Sequence, residues 1–154
     1  MDDKIFAVAD FFLANADPDD PVTHLKLQKL CAYAQAFSLA LLDKPLFGDA
    51  LEAWQHGPVI RRLYMKYKDH ENLPIATKTI GVDSRRLFDD EELYVLETVN
   101  SYYGAYAPHR LRAMSHDDFP RDFNAITKQI IPVADISSRF RDHKVINAIR
   151  EALA

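Results

Sequence analysis

The sequence predicts a mainly α, single compact domain of about six helices with a small β element of two or three short strands. Three observations carry that reading. Most of the chain repeats apolar residues at helical spacing, and only short stretches alternate as strands do. The 4 glycines and 8 prolines fall largely between those periodic stretches. With 154 residues, 48% of them hydrophobic, the chain fills one core and is too short for two, so residues 1–154 are read as one domain.

The elements follow in order. Ile5, Val8, Ala9 and Phe12 line one side of a first helix over residues 3–15, and "ADPDDP" (16–21) stops it with two prolines and three aspartates. Thr23 is placed to cap a second, longer helix through "HLKLQKLCAYAQAFSLALL", its hydroxyl accepting from an unpaired first-turn amide. On that helix Leu27, Leu30, Cys31, Ala34, Phe37, Ser38 and Leu41 share a broad face, and Leu25, Ala32 and Leu39 lie nearly opposite. Such a helix is sandwiched. Gln28 and Gln35 run between the two strips as a polar seam, and the face carrying Lys26, Lys29 and Tyr33 is expected to be solvated.

"DKPLFG" (43–48) reads as a turn and "ALEAW" as a short extended segment. Gly57 and Pro58 then suggest a helix start, with proline in the first helical position and Val59, Leu63 and Tyr67 on its inner face. Residues 69–83 look irregular, with one short edge strand inside "LPIATKTIGV". Asp89 and Glu92 have capping-box spacing at the head of a helix with Leu93, Leu96, Val99 and Tyr103 inside and Gly104 at its end. "PHRLRAM" makes a short helix from Pro108, "KQIIPVADI" a short extended run, and Ser137 or Ser138 is expected to cap a terminal helix carrying Phe140, Val145, Ile149 and Leu153.

Charge and motifs narrow the function. A net charge of −4 gives no general attraction to a phosphate backbone. One cysteine cannot form an intramolecular bridge, and the acidic start "MDDKIFAVADFFLANA" is unlike a secretory signal, so a cytoplasmic location is expected; no run is long enough to span a bilayer. No phosphate-binding loop, dinucleotide fingerprint or nucleophile elbow occurs. Cys31 sits on an apolar helix face and reads as a small buried hydrophobe. His56 lacks a neighbouring titratable partner in sequence, and "HDD" at 116–118 is better suited to a loop than to a metal. No enzyme activity, metal or other cofactor is expected. The helix over 59–68, with Arg61, Arg62, Lys66 and Lys68 beside Tyr64 and Tyr67, is the one segment with the mixture that contacts nucleic acid. A DNA-binding regulator is therefore the alternative reading, with nucleic acid the less favoured partner.

"LKLQKLCAYAQAFSLALLDKPLF" followed by "EAWQHGPVIRRLYMKYK" resembles the SocA-like, or Panacea, antitoxin domain family, which includes the GepA-like phage-associated proteins. The matching positions are Leu27, Lys29, Leu30, Tyr33, Ala34, Gln35, Lys44, Pro45, Leu46, Phe47, Glu52, Ala53, Trp54, Gly57, Pro58, Val59 and Tyr64. In "LRAMSHDDFP" His116 and Pro120 also match, whereas Ser115 stands in place of threonine and Arg121 in place of tryptophan. The resemblance implies a non-enzymatic antitoxin of a toxin–antitoxin system that binds a cognate toxin protein, either occluding it or delivering it to an ATP-dependent protease. Trp, Tyr and Arg most often anchor interfaces. The expected partner-binding residues are therefore Lys29, Tyr33, Trp54, His56, Arg61, Arg62 and Tyr64, with Gln35, Glu52, Gly57 and Pro58 as the structural motif. Whether Trp54 faces the core or a partner stays open at this level.

Overall fold

In chain order the elements are α1 (Lys4–Ala14), α2 (His24–Leu42), β1 (Glu52–Trp54), β2 (Gly57–Val59), α3 (Arg61–Tyr67), α4 (Asp90–Tyr103), α5 (Pro108–Asp118), β3 (Gln129–Ile130), α6 (Val133–Arg141) and α7 (Lys144–Leu153), with 3-10 turns at Lys68–His70 and Ser84–Leu87. The structure is a computed structural model that describes residues 3–75, 84–121, 123 and 127–154. The mainly α class with a small β element is the fold observed. None of the described helices is long and apolar enough to cross a membrane.

Helix α2 is the axis. All six other helices and β2 pack around it, and every residue from Lys26 to Leu39 is buried. Its N-terminus is capped as expected, Thr23 Oγ1 accepting from the Lys26 amide at 3.3 Å. Beyond one flank of α2, Tyr33 stacks on Tyr103 at 4.2 Å and meets Phe119 edge-on at 5.5 Å, and Phe119 meets Phe140 at 4.9 Å. Burying each such ring stabilises the fold by about 1.5–3 kcal/mol from area alone, so this aromatic cluster ties α4, α5 and α6 to the axis.

The expectation that Lys26, Lys29 and Tyr33 form a solvated face is wrong, and the reason is polar pairing. Lys26 Nζ donates to the Gly104 carbonyl at 2.5 Å and lies 3.6 Å from Asp20. Lys29 Nζ donates to the Pro58 carbonyl at 2.8 Å, and Tyr33 donates to Asp118 Oδ2 at 2.6 Å. Each polar tip meets an acceptor from a distant segment, so the stems can be covered without leaving the tips bare.

The sheet is antiparallel in the order β2-β1-β3, with Glu52 opposite Val59, Trp54 opposite Gly57 and Glu52 opposite Ile130. Gly57 and Pro58 therefore lie in a strand and do not begin a helix. Proline is tolerated there because β2 is an edge strand, where a missing N–H breaks no ladder. The chain stays extended through Ile60, whose N–H and C=O are both bound by the Gln28 side chain, at 2.8 and 3.2 Å. Helix α3 begins only after that clamp. Gln35, two turns along α2, holds the 43–48 turn in the same way, accepting from the Leu46 and Phe47 amides at 2.7 and 3.2 Å and donating to the Phe47 carbonyl at 2.9 Å. The seam between the apolar strips is a pair of backbone clamps.

The capping box of α4 forms as read, Asp89 accepting from the Glu92 amide and Glu92 from the Asp89 amide. At the C-terminus the single expected helix is two. Ser137 and Ser138 lie inside α6, which starts after Pro132 because Ile136 and Phe140 bury one face, and α7 is capped by His143 Nδ1. Of the strand expected within 73–82, residues 76–82 lie outside the described residues; Pro74 bridges to Thr23.

Candidate partner-binding site

The Gln28 clamp and the β1–β2 hairpin open a cleft of about 320 Å³ between α2, the hairpin and the start of α3, lined among others by His24, Gln28, Lys29, Trp54, His56 and Tyr64. Four residues expected to bind a partner, Lys29, Trp54, His56 and Tyr64, meet here. His24 and Gln28 join them, unforeseen. Their only signal in the sequence is the i, i+4 spacing, which lets Gln28 Nε2 donate to His24 Nε2 at 3.1 Å. Since that ring nitrogen accepts, His24 is a neutral imidazole, in keeping with burial and the Lys29 charge lowering it to about 4.

Lys29 forms part of the cleft lining although it is fully buried. Burial first, and the Arg112 guanidinium second, lower its ammonium to about 7. The ammonium reaches the Pro58 carbonyl because the residue before Pro58 has no side chain. A Cβ on Gly57 would stand 2.7 Å from Ser115 Oγ and 3.0 Å from Lys29 Cε, and its φ of +111° is one that residues with side chains rarely adopt. Gly57 is thus fixed by a close approach of α2 and α5 to the hairpin. His56, on the hairpin turn, and His116, on α5, are both lowered by burial and then by Arg112. His116 Nε2 and Arg112 Nε are buried without hydrogen-bond partners among the described residues.

Trp54 is half-buried and does not belong to the core cluster. Its ring lies 4.8 Å from that of Tyr64, with the Lys128 ammonium 4.3 Å and the Arg61 guanidinium 5.6 Å from its centroid. Its indole N–H donates to Glu52 at 3.1 Å. Arg61 grips the same carboxylate with two bonds, of 3.0 and 2.8 Å. Burial alone would raise the Glu52 carboxyl, but the bonds from Arg61 and Trp54 outweigh it and hold it below the ordinary range. These contacts fix an aromatic platform at the rim of the cleft.

Two expected site residues lie elsewhere. Arg62 clasps the buried Asp49 with two bonds of 2.7 Å and covers the Phe6 ring, joining α3 to the loop before β1 and to α1. Tyr33 is wholly buried on another flank of α2. Its partner Asp118 also meets His143 Nε2 at 3.2 Å, and because His143 Nδ1 accepts from the Val145 amide, Nε2 carries the proton that it donates. Burial would raise the Asp118 carboxyl, yet these hydrogen bonds lower it; burial and that carboxylate push the Tyr33 phenol up. The Tyr–Asp–His chain holds α2, α5 and the start of α7 together. Cys31 is buried, and its thiol is pushed up by burial, so it stays protonated at neutral pH. Among the described residues no group of three or more His, Cys, Asp or Glu side chains could hold a metal ion. What the cleft offers is hydrogen-bonding and apolar contact.

No curated protein and no solved structure is significantly similar to the chain. A family model does match. Residues 27–120, which hold most of α2, the hairpin, α3, α4 and α5 and make up more than half of the chain, match the model described as antitoxin SocA-like, Panacea domain. The motif residues Gln35, Glu52, Gly57 and Pro58 fall in that span, and each has a defined structural task. The chain therefore belongs to the family of SocA-like antitoxins that carry a Panacea domain.

Proposed function

We propose that this protein is a non-enzymatic antitoxin that neutralises a cognate toxin by direct binding, and that the toxin docks on the cleft face around Trp54, His56, Arg61 and Tyr64. The observation that carries the reading is Trp54: a half-buried tryptophan, braced by Tyr64 and two cations, beside an open and largely apolar cleft. An aromatic held in one place loses little entropy on binding and brings a large contact area. Lys29 belongs to the cleft floor; Tyr33 and Arg62 act by holding the scaffold. The bound toxin is either occluded or passed to an ATP-dependent protease, which the lifetime of the toxin in co-expressing cells separates.

The test is co-expression with the toxin encoded beside this chain. Trp54→Ala and Tyr64→Ala should each abolish protection and pull-down of the toxin while the variant accumulates in folded form. Full protection by the Trp54→Ala, Tyr64→Ala double variant overturns the proposed face. The DNA-binding alternative is weakened by charge pairing, since Arg61 and Arg62 each clasp a carboxylate and present little net charge to a phosphate. Binding to upstream DNA that falls steeply with salt would restore it.

A further inference from the structure

The sheet ends on one side at β3, and among the described residues no strand lies beyond it. Which of its backbone groups face outward follows from one bond. The Ile131 amide donates to the Leu51 carbonyl at 2.8 Å, so Ile131 turns its peptide groups toward β1. Successive residues of an antiparallel strand turn theirs to opposite sides, which leaves the N–H and C=O of Ile130 pointing away from the sheet. The register sets Ile130 opposite Glu52 and so on the outer face with Glu52 and Trp54, while the buried Leu51 and Ala53 face the core. On that outer face Lys128 reaches over the Trp54 ring, and Val59, opposite Glu52, lines the cleft. The cleft and the β3 edge are thus two ends of one surface. Its far end is apolar, with Ile130 60% and Val133 53% exposed.

A donor and an acceptor side by side on a strand edge are the pair that an extended backbone satisfies. Resting on the toxin-binding reading, we infer that the toxin lays a short extended segment along β3, its backbone pairing with the N–H and C=O of Ile130 and its side chains on the outer face lying against Ile130 and reaching toward Trp54. The rung is bounded on both sides. Lys128, at a φ of +49°, turns the chain before it. Pro132, beyond it, has no N–H, and its carbonyl is taken by the Asp135 and Ile136 amides. Such an edge fixes the register of an incoming strand without templating an open-ended sheet. It suits the toxin better than a second copy of this chain. In a two-fold pair of β3 strands centred on Ile130, Pro132 of each copy would face Lys128 of the other and no second rung would form, whereas a toxin segment paired at Ile130 continues onto the Trp54 platform and the cleft.

The experiment measures binding between the full 154-residue chain and the toxin encoded beside it by calorimetry, with two variants at one position. Ile130→Ala loses the side chain and keeps the N–H. Ile130→Pro loses both, and because that N–H points away from β1 the ladder inside the protein is kept. Ile130→Pro should bind about tenfold or more weakly than Ile130→Ala, with both variants melting close to the unmutated chain. In ¹⁵N-labelled unmutated protein the Ile130 amide should exchange with solvent about tenfold or more slowly once toxin is bound. Equal binding of the two variants, or unchanged exchange at Ile130, overturns the inference. The exchange measurement needs no substitution, so it decides even where Ile130→Pro folds poorly. Sedimentation of the chain alone tests the second copy: a dimer that forms without toxin and that Ile130→Pro abolishes assigns the edge to self-pairing and overturns the inference too. In co-expressing cells, protection lost in Trp54→Ala but kept in a folded Ile130→Pro removes the strand pairing and leaves the docking face standing. Protection kept in both removes the face itself.

Discussion

Replacing Lys29 with methionine isolates the energetics of a buried lysine. In the folded chain the ammonium is lowered from 10.5 to about 7, so between those values the unfolded chain binds one more proton than the folded one. Stability then rises with pH, by about 1.4 kcal/mol for each pH unit once the folded group has titrated. Because the group is half titrated near pH 7, the gain from pH 7 to pH 9 is about 2 kcal/mol. That window is clear of the main neighbours. His24, His56 and His116, all lowered from 6.5, add stability as pH rises only up to that ordinary value. Cys31, raised above its ordinary 9.0, removes stability only from about there upward. The assay is urea unfolding at half-unit steps from pH 6 to pH 9 on both proteins. The unmutated chain should gain stability through the window and Lys29→Met should be nearly flat, whatever the offset caused by the lost bond to the Pro58 carbonyl. Parallel curves for the two proteins would refute the argument, because they would show an ammonium that titrates as if in water.

Gln35→Leu keeps the side chain's size but removes its amide, leaving the Leu46 and Phe47 amides and the Phe47 carbonyl without their partner; a loss of about 2–4 kcal/mol is expected in denaturant unfolding. Gly57→Ala meets both a positive φ and Ser115 Oγ at 2.7 Å, so about 1–3 kcal/mol should be lost, seen as a lower Tm, with Ser115→Gly partly restoring it. Arg61 and Arg62 should separate. Arg62→Ala strands the buried Asp49 carboxylate and should cost about 2–4 kcal/mol, while Arg61→Ala, an exposed side chain, should leave the melting temperature close to unchanged.

Legibility in the sequence followed range. The Thr23 cap, the Asp89/Glu92 capping box and the Pro108 start are settled by groups three or four residues apart, and all three were readable. The family was readable too, because its motif is a dense run of residues on α2 and the hairpin. Gly57–Pro58 is ambiguous in the sequence because the pair is compatible with a helix start and with an edge strand. The choice falls to Gln28, 32 residues earlier, which binds Ile60 and keeps the chain extended.

By itself the sequence determined the helical periodicity, the caps, the single-core size and the family, since these depend on neighbours along the chain. Tertiary structure decided what covers the Lys26, Lys29 and Tyr33 face, because the acceptors for those three tips come from 78, 29 and 85 residues away. A long polar side chain prefers water until its tip is offered a partner, and no helical wheel contains that partner. The same distance effect placed Trp54. Its half-burial between Tyr64, Arg61 and Lys128 depends on a hairpin, a helix and a third strand meeting at one rim, and it turns a residue that composition alone would send to the core into the anchor of the proposed docking face.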